Sequence, residues 1–196
     1  MRSLLPFLTL TTSLLAVPYD HDPATTEECR PRDGLPNLFA KIRAGETVRV
    51  AYLGGSITAA AGWRLKTLAW FRETFPQATF VEINAAISGT GSDYAACRLE
   101  ADVLSQRPDL VFLECRVNGG ADFELPSVEG VVRQIWQRNP RTDICFIYTI
   151  GRWMLPAIQA GDNVGFGSVM ERIANHYGIP SIDLGVDIAA REKAGS

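Results

Sequence analysis

Residues 48–64 read V-R-V-A-Y-L-G-G-S-I-T-A-A-A-G-W-R, and the rest of the chain is best understood from this stretch. Its first six residues are mostly apolar and predict a short buried strand, which runs into the glycine pair Gly54 and Gly55. Two glycines allow a sharp turn and let another group approach the backbone closely. The turn presents Ser56, and we expect a helix to begin within a few residues of it.

Two interpretations of Ser56 follow from this stretch. A serine at the start of a helix lies beside backbone N–H groups that have no partner within the helix, so developing negative charge is stabilised there. In this interpretation Ser56 is a nucleophile. Serine is also among the preferred residues for capping a helix N-terminus, and in that interpretation Ser56 has only a structural role. The stretch alone leaves both open.

The composition is that of one globular domain. The chain has 196 residues, 46% of them hydrophobic and 21% charged, and a net charge of −3. That length is enough to bury a core. No block of like charges occurs, so we expect neither a nucleic-acid partner nor binding to an anionic membrane surface. The four cysteines, at positions 29, 97, 115 and 145, lack metal-ligand spacing, and we expect no metal or cofactor.

The N-terminus has the pattern of an export signal. Arg2 is followed by an apolar run up to Val17, too short to span a bilayer but typical of a secretory signal peptide. We therefore predict a signal peptide over residues 1–17 and a secreted or periplasmic protein; a buried N-terminal helix is the alternative. Residues 18–45 then form a polar lead-in with a short helix, and residues 46–196 form the main domain.

The rest of the chain alternates strands with helices. Such alternation implies right-handed crossovers and a parallel sheet covered on both faces. We predict an α/β fold, a flavodoxin-like three-layer α/β/α sandwich with a five-stranded parallel sheet. Ser168 and Glu171 have the spacing of a capping box at a helix start. The five predicted strands are residues 48–53, 79–83, 110–115, 144–150 and 179–184.

Three loops follow strand ends and should meet at one edge of this sheet, where ligands bind in such folds. They contain Ser56, Gly89 and Asn118. Acyl transfer needs a nucleophile and hydrogen-bond donors aimed at an oxyanion. Ser56 could be the nucleophile, and its N–H, the Gly89 N–H and the Asn118 amide could be the donors. Taken singly, Gly89 also suits a flexible loop and Asn118 a turn; together they favour a catalytic site.

These three loops resemble sequence blocks of the SGNH hydrolases, also called GDSL-like esterases or lipases. G-G-S-I-T around Ser56 resembles the block with the nucleophilic serine, and N-A-A-I-S-G-T-G the block whose glycine, here Gly89, donates to the oxyanion. V-N-G resembles the third block, whose asparagine is Asn118, although Gly119 stands where aspartate is common. The resemblance implies metal-free hydrolysis of esters, in many relatives acetyl or acyl esters of carbohydrates.

The last block of that family, Asp-x-x-His, does not occur in the sequence. It would follow the fifth strand and its helix, so we expect a chain truncated before it, or a protein without the catalytic base. The two histidines, His21 and His176, lie outside any matching block, and we predict that both are surface residues. Without a base, serine is a poor nucleophile, and loss of a triad member costs on the order of 10⁴ to 10⁶ in rate.

The alternative function is an exported carbohydrate-binding pseudoenzyme that does not hydrolyse esters. Trp63 and Trp153 each follow a loop at a strand end and could stack on sugars, whereas Trp70 and Trp136 suit helix packing. A binding protein would retain sugar binding after Ser56→Ala and show no ester turnover.

Overall fold

The structure is a computed structural model that describes residues 19–119 and 122–195. The predicted signal peptide, residues 1–17, lies outside the described residues. Within them, no helix has both the length and the apolar character needed to cross a membrane.

Six strands form one sheet, in the order β1-β6-β5-β4-β2-β3. The five strands β2 to β6 are parallel to their neighbours, and only β1 runs antiparallel, beside β6. The parallel strands thus follow the flavodoxin-like order 2-1-3-4-5 when they are counted from β2. This confirms the predicted fold class. The strands are β1 Cys29–Arg30, β2 Thr47–Gly54, β3 Thr79–Ala86, β4 Leu110–Glu114, β5 Asp143–Tyr148 and β6 Ser181–Asp183.

Helices cover both faces of the sheet and complete the three layers. One face packs Val48, Tyr52 and Phe112 against α1 and α3. The opposite face packs Leu53, Leu113 and other apolar strand residues against α4, α5 and α7. The helices are α1 Pro36–Arg43, α2 Ser56–Ala59, α3 Trp63–Thr74, α4 Ser92–Asp102, α5 Glu124–Arg138, α6 Leu155–Gln159, α7 Phe166–Tyr177 and α8 Leu184–Ala194, with 3₁₀ turns at Leu104–Gln106, Arg116–Asn118 and Arg152–Met154.

The lead-in is part of the fold, which the sequence pattern did not predict. It supplies β1, a strand in addition to the five that were predicted, and Cys29 and Arg30 of β1 pair with β6. Arg30 and Arg32 both bind Glu171, which is buried in α7; the Arg32 Nη2 to Glu171 Oε2 distance is 2.5 Å. The predicted capping box is therefore wrong, because α7 begins at Phe166 and the Glu171 carboxylate binds the lead-in instead.

Candidate active site

Ser56 lies at the carboxyl edge of the sheet, where β2 meets α2. The strand ends at Gly54, Gly55 is the N-cap, and Ser56 is the first residue of the short helix. Its side chain is exposed, whereas that of Thr58, two residues on, is fully buried. The carbonyls of Gly55 and Ser56 accept hydrogen bonds from Ala59 and Ala60. These hydrogen bonds and the buried Thr58 thus fix the turn, while Ser56 is exposed to solvent.

The two glycines before Ser56 are required by close packing. A Cβ at Gly54 would lie 2.6 Å from the Thr58 Oγ1 and 2.8 Å from the Glu114 carbonyl oxygen. A Cβ at Gly55 would lie 2.6 Å from the Asn118 Oδ1. Any side chain at either position would therefore push these neighbours away. The Asn118 amide group consequently lies directly against the turn that carries Ser56.

The loop that contains Gly89 approaches the same turn from β3. The Ile87 N–H donates to the Gly54 carbonyl oxygen at 3.0 Å, and the Thr90 hydroxyl donates to the Ile87 carbonyl oxygen at 2.7 Å. Gly89 has φ of +76°, a left-handed conformation that favours glycine. No atom lies within 4 Å of the position that a Cβ would take at Gly89. The backbone there is open to an approaching group.

Asn118 ends the 3₁₀ turn Arg116–Asn118 that follows β4. Its N–H donates to the Cys115 carbonyl oxygen at 3.0 Å, which closes this turn. Its own carbonyl oxygen would lie 3.1 Å from a Cβ at Gly91, so the Asn118 turn contacts the loop after β3 as well. The structure therefore brings the loops of Ser56, Gly89 and Asn118 together at one edge of the sheet.

Gly119 is also fixed by packing. A Cβ at this position would collide with the Phe166 side chain at the start of α7 and would lie 2.6 Å from the Glu124 Oε1. An aspartate, common at this position in the resembling family, would not fit here without movement of Phe166. The departure from the family pattern thus has a packing cause in this chain.

Both histidines lie away from this edge. The His21 ring stacks on Tyr19, and the His21 carbonyl oxygen accepts from Asn175 near the end of α7. His176 is exposed in the last turn of α7, against the Tyr177 ring. That turn returns the chain to β6, and hence to the amino edge of the sheet. Neither imidazole is therefore placed to accept the Ser56 proton.

The Cys115 thiol, next to the Asn118 turn, is unsuited to act as a nucleophile. Its thiol is fully buried, and this burial, together with the Glu114 carboxylate, raises its pKa far above the usual range. A neutral buried thiol is a poor nucleophile.

A buried polar network, which the sequence patterns did not predict, lies beneath the site. It consists of side chains that hydrogen-bond to one another, most of them at or just beyond strand ends. A charged residue that ends an apolar run, as Glu114 ends L-V-F-L-E, is the one signal in the sequence. The members are Thr58, Glu114, Arg116, Thr149 and Asp183, all buried.

The two tryptophans proposed to stack on sugars differ in environment. Trp63 packs edge-on against Tyr52 and Phe112 with ring centroids 5.5 and 5.7 Å away, so it belongs to the packed aromatic cluster. The expectation that Trp63 could stack on a sugar is therefore wrong. Trp153, in the 3₁₀ turn after β5, is 70% exposed and its ring covers Gly151. Only Trp153 of the two presents an open indole face.

The sequence matches no protein-family model, and no curated protein is significantly similar to it. Among solved structures, it is similar to a two-domain esterase active on acetylated mannans, co-crystallised with mannopentaose. The identity is 30%, the TM-score is 0.71, and the match covers 82% of this chain and 44% of that one. A further structure of a two-domain esterase active on acetylated mannans matches with 27% identity and a TM-score of 0.73, over 90% and 47% of the two chains. The chain thus spans less than half the length of these relatives.

More distant structures share the fold. An acetyl xylan esterase matches with 21% identity and a TM-score of 0.57, over 76% of this chain and 83% of that one. A lipase/acylhydrolase from Enterococcus faecalis matches with 17% identity and a TM-score of 0.56, over 73% and 79%. At these identities the likeness supports the three-layer α/β fold alone.

Proposed function

We propose that this chain carries the nucleophile and the oxyanion-binding groups of a serine esterase of the SGNH type, acting on acetyl or acyl esters of carbohydrates. The observation that carries the proposal is the contact between two strand-end loops, in which the Asn118 Oδ1 lies 2.6 Å from the Cβ position of Gly55, next to Ser56. The similarity to an esterase active on acetylated mannans supports the choice of substrate class.

In the proposed reaction the Ser56 oxygen attacks the ester carbonyl carbon as a base removes the hydroxyl proton. The carbonyl oxygen becomes an oxyanion, which accepts hydrogen bonds from the Ser56 N–H, the Gly89 N–H and the Asn118 side-chain amide. Collapse of this intermediate breaks the bond to the sugar oxygen, which leaves with the proton. Water then hydrolyses the acyl-serine by the same two steps and restores Ser56.

No histidine among the described residues is placed to act as the base for Ser56. The two histidines of the sequence lie near the end of α7, and neither faces Ser56. We propose that the base is supplied from outside the described residues, as the Asp-x-x-His block of the resembling family would supply it. Reading the coding DNA beyond codon 196 tests this directly, because the proposal requires such a block in the same frame.

Ester hydrolysis with added imidazole tests the nucleophile itself. Imidazole replaces a missing histidine base, so the rate for an acetylated sugar or p-nitrophenyl acetate should rise with imidazole and depend on Ser56. Ser56→Ala, measured at the same imidazole concentration, gives the background of imidazole alone. Ser105→Ala is the matched control, because Ser105 is another exposed serine, in the 3₁₀ turn before β4. Equal rates for the wild-type chain and Ser56→Ala would contradict the proposal.

We also propose that the protein is exported by its N-terminal segment, residues 1–17, and acts without a cofactor. The apolar run after Arg2 supports this location, and an enzyme that acts on polysaccharide esters needs access to an extracellular substrate. Mass spectrometry of the N-terminus of the mature protein tests it, and the expected first residue is Val17 or Pro18. An intact Met1 in the secreted fraction, or a protein retained in the cytoplasm, would contradict it.

A second candidate function is carbohydrate binding without hydrolysis. It is favoured by Trp153, whose 70% exposed indole lies on the loop after β5, at the same edge as Ser56. Aromatic faces of this kind pack on apolar ring faces. In this function mannopentaose binds with equal affinity to the wild-type chain and Ser56→Ala, binds weakly to Trp153→Ala, and no ester is hydrolysed even with imidazole.

A further inference from the structure

The buried polar network has two branches that meet at Thr149. In the first branch Glu114, 1% exposed at the end of β4, accepts two hydrogen bonds. The Thr58 hydroxyl donates to its Oε2 at 2.8 Å, and the Thr149 hydroxyl donates to its Oε1 at 2.7 Å. Because Thr58 lies in the short helix that begins with Ser56, this branch attaches the nucleophile's helix to the ends of β4 and β5.

In the second branch Arg116 opens the turn that ends with Asn118. Its guanidinium makes two hydrogen bonds to Asp183, at the end of β6, of 2.6 and 2.7 Å. Its Nε donates to the Thr149 carbonyl oxygen at 2.9 Å, and its guanidinium lies over the Tyr148 ring, 5.3 Å from the centroid. Asp183 also accepts from the Gly185 N–H at 2.8 Å. This branch attaches the Asn118 turn to β5 and β6.

We propose that Thr149 is a positioning residue that couples Ser56 to Asn118. Its hydroxyl holds the Glu114–Thr58 branch and its carbonyl oxygen holds the Arg116–Asp183 branch, so one residue sets the distance between the nucleophile and an oxyanion donor. The inference rests on the proposed function for its catalytic consequence. The coupling itself is a property of the fold and can be measured separately.

The network consists of polar and charged side chains, which are costly to bury and therefore differ from ordinary core packing. Buried charges and hydroxyls cost free energy to desolvate, and apolar residues of similar volume often stabilise a protein as well or better. Fully bonded buried networks instead fix one arrangement of the groups that they join. Each branch of this network ends close to a proposed site residue. Thr58 follows Ser56 by two positions, and Arg116 precedes Asn118 by two.

Thr149→Val tests the coupling, since it removes the hydroxyl with little change of volume and leaves the carbonyl oxygen. Thr149→Ser keeps the hydroxyl and is the rescue variant. Thr142→Val is the matched control, because Thr142 is also buried beside β5, at its other end, and its hydroxyl donates to the Pro108 carbonyl oxygen at 2.8 Å. Misplacement of a catalytic group by about 1 Å costs up to about 10²-fold in rate. With imidazole added as the base, we expect kcat to fall at least about tenfold in Thr149→Val with KM unchanged, and to recover in Thr149→Ser.

Amide hydrogen exchange gives a second readout that does not need turnover. Exchange over residues 55–60 and 116–119 should become faster in Thr149→Val than in Thr142→Val, and return to the wild-type rate in Thr149→Ser. Equal exchange in the two valine variants over both segments overturns the coupling, whether or not the chain hydrolyses esters. A wild-type chain with no Ser56-dependent hydrolysis but with this exchange pattern overturns the proposed function and leaves the coupling supported.

Discussion

At the scale of single residues, close packing decides what can stand around Ser56. A Cβ at Gly54 or Gly55 would meet a residue at or just after the end of β4, and a Cβ at Gly119 would meet Phe166 at the start of α7. The sequence predicted that the loops of Ser56, Gly89 and Asn118 meet at one edge of the sheet, because each follows a strand; their catalytic roles stay a prediction. It did not predict Glu114, Arg116 or Thr149, because their partners lie on other strands and no local pattern records such pairs.

Gly119→Ala should destabilise the chain. The new Cβ would collide with Phe166, which is buried and cannot move without opening the core, and overpacking of this kind costs about 1–3 kcal/mol. Gly130→Ala is the control, since Gly130 lies inside α5 with no atom near its Cβ position. That change should stabilise the chain by about 0.5–1 kcal/mol, the usual gain of alanine over glycine within a helix. Urea unfolding measures both, and equal stability of the two variants would contradict this packing account.

At the scale of elements, the lead-in is held to α7 by Glu171. Its carboxylate binds Arg30 and Arg32 from the lead-in and accepts from the Tyr148 hydroxyl at 2.7 Å. The sequence pattern predicted a helix cap here because Ser168 and Glu171 have the required spacing. A capping box depends on where the helix begins, and α7, whose N-cap is Gly165, begins three residues earlier than that spacing requires. The sequence therefore identified the helix but not the role of its glutamate.

The ion pairs of Glu171 with Arg30 and Arg32 should make the stability of the fold sensitive to acid. Burial raises the pKa of Glu171, but hydrogen bonds from Ser181 and Tyr148 and the two arginines outweigh it, so the pKa is lowered from 4.5. A lowered pKa stabilises the fold above the ordinary carboxyl range, and this contribution is lost as the pH falls through the folded-state pKa.

Glu171→Gln measures that contribution. The change should cost about 3–5 kcal/mol near pH 7, because it leaves two arginines without their buried partner. The difference from the wild-type chain should shrink as the pH falls below 4.5, the ordinary value for the Glu171 carboxyl. Glu27→Gln is the control, since Glu27 is exposed and pairs with Arg30 from outside; an exposed pair contributes about 1 kcal/mol at most. A Glu171→Gln difference that is constant with pH would contradict the assignment.

At the scale of the whole molecule, the five strands of the parallel sheet were predicted from the sequence with only small differences in their bounds. Apolar runs bounded by turn residues and alternating with amphipathic helices gave the five parallel strands. The sixth strand, β1, has two residues and pairs with β6 alone, so it carries no periodicity that a sequence pattern could reveal. The order of the strands also follows, because short right-handed crossovers leave few arrangements.

The layered packing predicts how the four thiols react. Cys115 and Cys145 are buried between layers, and burial raises the pKa of both thiols, whereas Cys29 and Cys97 are exposed. In the folded, reduced chain a thiol reagent such as 5,5′-dithiobis(2-nitrobenzoate) should modify two cysteines quickly, and four after unfolding. Peptide mapping should identify the fast pair as Cys29 and Cys97. Fast reaction of Cys115, the residue just after β4, would contradict the burial of this end of the strand.

Covalent labelling by a fluorophosphonate tests directly whether Ser56 is the nucleophile. The reaction with imidazole present should add one phosphonyl group, and trypsin should place it on the peptide of residues 50–64, between Arg49 and Arg64. This adduct should disappear in Ser56→Ala and persist in Ser105→Ala. An adduct on another peptide that survives Ser56→Ala, or an unlabelled wild-type chain at saturating reagent, would contradict the assignment of Ser56 as the nucleophile.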